Sequence, residues 1–145
     1  MLKSFFTESD KLLVLNAIKQ AETDTSGEIR VHVENHCKGD LMDRAATVFS
    51  VLNMHKTALR NGVLFYLAVK DRKFAILGDV GINKVVPADF WEQIKSQVKI
   101  QFSKQQFAAG LAEGIVTAGE QLQKHFPYQS DDKNELSDDI SFQDN

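Results

Sequence analysis

A three-layer α/β/α sandwich around a small mixed sheet, Rossmann-like in class, is what three features of this chain predict. Residues 28–34 alternate, with Ile29, Val31 and Val33 set between Glu28, Arg30, His32 and Glu34, the period-two pattern of a strand with one apolar face. Residues 63–69 and 74–77 are apolar on both faces, as strands covered from above and below must be, and only Lys70, Asp71, Arg72 and Lys73 separate them. Around these runs lie stretches with apolar residues at helical spacing, which gives the order α-β-α-β-β-α-α.

Each element has its own local signal. Thr7, Glu8, Ser9 and Asp10 offer N-caps for a first helix, in which Leu12, Leu15 and Ile18 share a face with Leu13, Ala17 and Ala21 beside them, ending near Glu22. The turn from Thr23 to Gly27 releases the strand at 28–34. Lys38, Gly39 and Asp40 break that strand, and Leu41, Ala45, Val48 and Leu52 recur as a second helix of about four turns. The four-residue link after Val69 is too short for a crossover, so the strands at 63–69 and 74–77 pair antiparallel. The helix between the strands at 28–34 and 63–69 makes that pair parallel. A turn of helix over residues 82–86 precedes a longer helix opened by Pro87, with Phe90, Ile94, Val98 and Phe102 on one face. A last helix, from about Gln105 to Phe126, carries Phe107, Leu111, Ile115 and Leu122, and its Gly110, Gly114 and Ala118 form a ridge suited to close packing. Trp91 falls on a covered helix face and reads as a core anchor.

Length and composition bound the function. At 145 residues, 43% hydrophobic and 26% charged, the chain suits one globular domain over residues 1–126. Residues 127–145 hold six acids against Lys133 and few apolar groups, which predicts an acidic disordered tail. No apolar run reaches the ~20 residues of a membrane span, and the N-terminus turns charged too soon for a secretory signal, so a cytoplasmic protein is expected. The lone Cys37 excludes an internal disulfide and a multi-thiolate zinc site. Basic residues are scattered among acids, which argues against nucleic acid, and neither G-x-G-x-x-G nor G-x-x-x-x-G-K-[ST] occurs, which argues against nucleotide binding. His32 and His36 lie about 13 Å apart along an extended strand, too far for one zinc ion.

The expected strand order gathers polar residues onto two rims. At the first, Glu28, Arg60, Asn61 and Asp79 converge where two strands begin and the third ends, and Gly78 and Gly81 let the backbone turn and expose carbonyls. Asp79 and Glu28 there offer oxygens to a hard cation such as calcium, with backbone carbonyls and water completing six to eight ligands. The competing reading has Asp79 capping the next helical turn or pairing with Arg60. At the opposite rim Asp40, Asp43 and Asp71 form a second candidate cation site, although Asp40 also suits an N-cap and Asp71 a turn.

Taken together, Thr25–Val31, Arg60–Leu64, Phe74–Ile82 and the run Phe107–Gly114 resemble the TPM domain family over about residues 5–126. The resemblance implies an α/β/α sandwich, which agrees with the periodicity. It also implies divalent-cation binding, calcium above all, and an acid phosphatase activity described for a plant member. Many bacterial relatives carry a signal peptide, a membrane helix and a glycine-rich tail, and this sequence resembles the soluble, short-tailed type. The expected function is therefore a calcium-binding TPM domain that acts through protein partners in envelope or stress-related assembly. The alternatives are a metal-dependent phosphatase, with Arg60 on the phosphoryl oxygens and Asp79 on the metal, and a scaffold with no metal whose acidic tail meets a basic partner.

Overall fold

In a computed structural model of the chain, which describes Leu2, residues 6–129 and residues 139–145, four strands form one mixed sheet covered on both faces. The elements follow in the order α1 (Glu8–Asp24), β1 (Glu28–Glu34), α2 (Leu41–Val51), β2 (Gly62–Ala68), β3 (Lys73–Gly78), α3 (Val80–Asn83), α4 (Glu92–Ser103), α5 (Phe107–Leu122) and β4 (Ser141–Gln143). The strand order is β3-β2-β1-β4. β1 and β2 run parallel, with Glu28 opposite Gly62 and Glu34 opposite Ala68, whereas β2 and β3 are antiparallel. The predicted pairing of all three strands is the one observed.

The pleat divides the core into two. Ile29, Val31, Val33, Val63, Phe65 and Leu67 pack with the helices α1, α4 and α5, while Leu64, Tyr66, Ala68 and Ala75 face the other way onto α2. β2 is buried along its whole length, which explains why its sequence shows no alternation. The ridge on α5 works as its composition suggests: a Cβ on Gly114 would stand 2.6 Å from the Val98 side chain, and one on Gly110 would stand 2.9 Å from Phe102. Only glycine lets α4 and α5 approach so closely.

Three expectations need correction. α1 buries Val14, Ala17, Ile18 and Ala21, while Leu12 is 60% and Leu13 45% exposed. Four consecutive apolar residues, Leu12 to Leu15, leave the phase of the stripe open, and the 14-17-18-21 spacing wins because Ala17 and Ala21 admit the neighbouring α5. The longer helix expected from Pro87 begins at Glu92, after turns through Pro87 to Trp91. Trp91 is partly buried against the core.

The third concerns the expected disordered tail. Thr25 and Pro127 form a bridge, and the Thr25 hydroxyl and the Ser26 N–H both donate to the Phe126 carbonyl, so the chain is still held at its first tail residue. Residues 139–145 then return to the sheet, where β4 pairs in parallel with β1. Residues 130–138 lie outside the described residues. The segment orders although it is polar, because complementary polar groups await it along β1.

Candidate functional site

At the first rim the turn after β3 returns to the start of β2: the Asp79 N–H donates to the Gly62 carbonyl at 2.9 Å, and the Gly81 N–H to the Arg60 carbonyl at 2.9 Å. A Cβ on Gly81 would lie 2.1 Å from the Leu59 carbonyl oxygen, so this close approach of two backbones requires glycine. Arg60 adopts a left-handed backbone (φ 50°) that aims its side chain across the turn. Its Nε and Nη2 donate to the two Asp79 oxygens at 2.8 and 2.9 Å, and the Val80 N–H donates to Oδ1 at 2.7 Å. Asp79 thus both caps α3 and pairs with Arg60. The pairing further stabilises the charged guanidinium, which is already ionised at any accessible pH. A cavity of about 430 Å³ opens beside the pair, with Phe49, His55 and Leu77 among its walls. Glu28 is buried at the same end of the sheet, but β2 stands between it and Asp79, a separation of about 10 Å across two strand spacings.

At the second rim Asp40 accepts from the Asp43 N–H at 3.1 Å and caps α2. Asp71, in the β2–β3 turn, accepts from His36 Nδ1 at 2.9 Å and from the Cys37 N–H at 2.7 Å. Those two hydrogen bonds, the His36 one foremost, lower the Asp71 pKa and keep it ionised. Asp40 at the N-cap of α2, Asp43 in the first turn of that helix and Asp71 in the β2–β3 turn all belong to the end of the sheet where the parallel strands finish.

At the end of β1, beside the second rim, lies a cluster whose partners the sequence did not connect. Glu34, fully buried, receives Arg44 Nε on one oxygen at 2.9 Å and Arg44 Nη2 on the other at 2.7 Å, together with the Tyr66 hydroxyl and His32 Nε2 at 2.9 Å. Burial alone would raise the Glu34 pKa, but the donors, led by Arg44, overcome it and hold the carboxyl at about 2. Burial lowers the His32 pKa despite the Glu34 contact, so the ring is neutral. With a proton on Nε2 facing the carboxylate, Nδ1 accepts from the Ser141 hydroxyl at 2.8 Å. The signal was present as polar residues at 32 and 34 on one face of β1, but their partner Arg44 lies on another element.

The segment 139–145 is read along its length. Arg30 Nη2 donates to the Asp139 carbonyl at 3.1 Å, and Arg44 Nη2 to the Gln143 amide oxygen at 3.1 Å. Ile140 packs on the larger core, and Phe142 meets Phe6 edge-on at 5.8 Å with Lys11 Nζ 5.3 Å from its ring centre. Asn35 donates its side-chain amide to Asp144. The Asn145 amide accepts from the N–H groups of Asn35 and His36 at 3.0 and 2.9 Å and donates to the His36 carbonyl at 2.8 Å.

A model of the TPM domain matches residues 2–121 of the chain. The chain belongs to the TPM domain family. Among solved structures, it is similar to the BA42 protein of the psychrophilic bacterium Bizionia argentinensis, with 45% identity, a TM-score of 0.92 and 99% of both chains covered. It also resembles the N-terminal domain of the cg2496 protein of Corynebacterium glutamicum, at 13% identity and a TM-score of 0.64, with 97% of this chain and 81% of that one covered. A third likeness is the N-terminal domain of a protein from P. gingivalis, at 16% identity and a TM-score of 0.63, covering 84% and 79%. The last two show the shared fold alone. No curated protein sequence matches the chain.

In this TPM domain the residues expected to hold a metal at the first rim do not fit one as they stand. Both Asp79 oxygens are taken by a guanidinium, and a cation would have to displace a bidentate pair. Among the described residues no three His, Cys, Asp or Glu side chains converge into a metal cage. Among the described residues, too, no helix is long and apolar enough to cross a membrane.

Proposed function

We propose that this TPM domain is a binding module, not a hydrolase, and that it takes a divalent cation, calcium in first place, at the rim where β1 and β2 end. The observation that supports this is the Arg60–Asp79 pair, which occupies both oxygens of the first-rim carboxylate, whereas at the second rim, among the described residues, Asp40 and Asp71 accept only from N–H donors of the backbone and of His36. Ligands of α/β sheets gather beyond the carboxyl ends of parallel strands, the end to which Asp40, Asp43 in the first turn of α2, and Asp71 belong. Each carboxylate oxygen that accepts one N–H keeps a lone pair for a cation. With so few protein oxygens, water supplies most of the six to eight ligands, and the dissociation constant falls in the millimolar range, on the order of 1 mM. Occupancy there changes the charge of a loop-rich surface, which is how the domain would act on protein partners.

An amide-resolved calcium titration tests the reading. Shifts are expected at residues 35–43 and 70–73, and ~10 mM calcium should add about 1.4 kcal/mol of stability for a ~1 mM site. Asp40→Asn combined with Asp43→Asn should remove both effects and Asp79→Asn should leave them. Shifts confined to residues around Asp79, or none at all, would refute it.

A further inference from the structure

The cavity of about 430 Å³ beside the Arg60–Asp79 pair is of a size that takes a small ligand, and its walls divide by chemistry. Phe49 is buried and Leu77 half-buried, both joined to the core on the α2 side, so this part of the wall is fixed and apolar. The charged or titratable residues that line the cavity are Arg60, His55 and Asp79, and the Asp79 carboxylate is already taken by Arg60. Arg60 holds φ 50°, a backbone that glycine adopts freely and arginine does not, so it is the side chain and not the turn that calls for arginine here. Asp79 occupies the Nε–Nη2 edge of the guanidinium and holds it in place. That leaves the Nη1–Nη2 edge, the second bidentate face of the group, on a side chain that is 46% exposed.

We propose that this cavity is a binding site for a small aromatic carboxylate. The ligand carboxylate takes the remaining edge of Arg60 in the parallel two-bond geometry that Asp79 already shows on the other edge, with a ring N–H of His55 available on the same cavity. The ring packs against Phe49, Leu77 and Val80. Charge favours a monoanion: Arg60 and Asp79 cancel, so a phosphate dianion would gain little from the guanidinium and would face the Asp79 carboxylate. Asp79 is thus a positioning residue that orders the guanidinium before the ligand arrives, which lowers the entropy lost on binding. The cavity lies at the opposite end of the sheet from the rim of Asp40, Asp43 and Asp71, and the inference is independent of cation binding.

The test is an amide-resolved titration of the whole chain with sodium benzoate at constant ionic strength. A ligand this small binds in the millimolar range, so the probe runs to ~20 mM. Signals of residues 46–50, 55, 60 and 77–80 should move and saturate. Acetate, which lacks the ring, and benzyl alcohol, which lacks the charge, should each bind at least about tenfold more weakly, and phenyl phosphate should bind no better than benzoate. Arg60→Lys keeps the charge but loses the fork and should weaken benzoate about tenfold. Because Arg60 also serves the turn, Ala46→Glu supplies a second variant: the position is exposed on α2 and lines the cavity, so the fold is kept while the added carboxylate repels benzoate, again by about tenfold. If Arg60→Lys does not fold, Ala46→Glu decides alone. No saturable movement at these residues, equal binding of acetate or benzyl alcohol, tighter binding of phenyl phosphate, or a benzoate affinity unchanged by either folded variant would each overturn the proposal.

Discussion

Two carboxylates, Asp79 and Glu34, show how much one residue's surroundings decide. Asp79 ends a strand beside glycine, and its pairing with Arg60 was legible because both residues flank turns that the strand order brings together. Glu34 was not legible as a buried charge, since a glutamate on the polar side of an alternating strand ordinarily faces water. In the fold that side is covered by α2 and β4, and an ionised Glu34 survives there because three side chains donate to it. Removing its charge should be expensive: Glu34→Gln leaves the largely buried Arg44 without its counter-ion and should cost about 3 kcal/mol in urea unfolding. The double variant Glu34→Gln, Arg44→Gln should recover part of that loss. A single-variant cost below ~0.5 kcal/mol, the level of an ordinary surface change, would show that the cluster contributes nothing.

Among the elements, α5 makes the clearest case for packing over propensity. Alanine at position 114 would gain up to about 1 kcal/mol of helix propensity, but its methyl would meet Val98 at 2.6 Å and Phe65 at 3.2 Å. Overpacking a close contact costs about 1–3 kcal/mol, so Gly114→Ala should be destabilising on balance, and a raised melting temperature would contradict that. The tail illustrates the reverse error. Its polarity predicts disorder because a segment with few apolar groups gains little from burial, whereas residues 139–145 are held mainly by hydrogen bonds from residues some 109 positions away. Such long-range polar complementarity leaves no local trace.

The molecule as a whole should be labile to acid. His32 titrates below its ordinary 6.5 when folded and Glu34 at about 2 instead of 4.5, so over both windows the unfolded chain binds more protons than the folded one. Stability is then fully present above about pH 6.5, declines below it as His32 protonates in the unfolded state, and declines again between pH 4.5 and about 2 as Glu34 follows. Melting temperatures across pH 7 to 3 should fall, and Glu34→Gln should flatten the arm below pH 4.5. A melting temperature that rises on acidification would reverse the assignment. Release of the 139–145 segment should accompany the loss, since neutral His32 is what accepts from Ser141.

By itself the sequence determined the layers and the order of the first three strands, because strand alternation, doubly apolar runs and short links are local consequences of backbone geometry. It determined too that Asp79 and Arg60 would share an end of the sheet. Only the tertiary structure decided which apolar residues of α1 face inward, that the Arg60–Asp79 pair closes over the expected cation ligands, and that a polar tail becomes the fourth strand. Those outcomes depend on which surfaces meet, and the free energy of a charge or a hydrogen bond is set by its partner and its exposure to water, quantities that exist only once distant segments have come together.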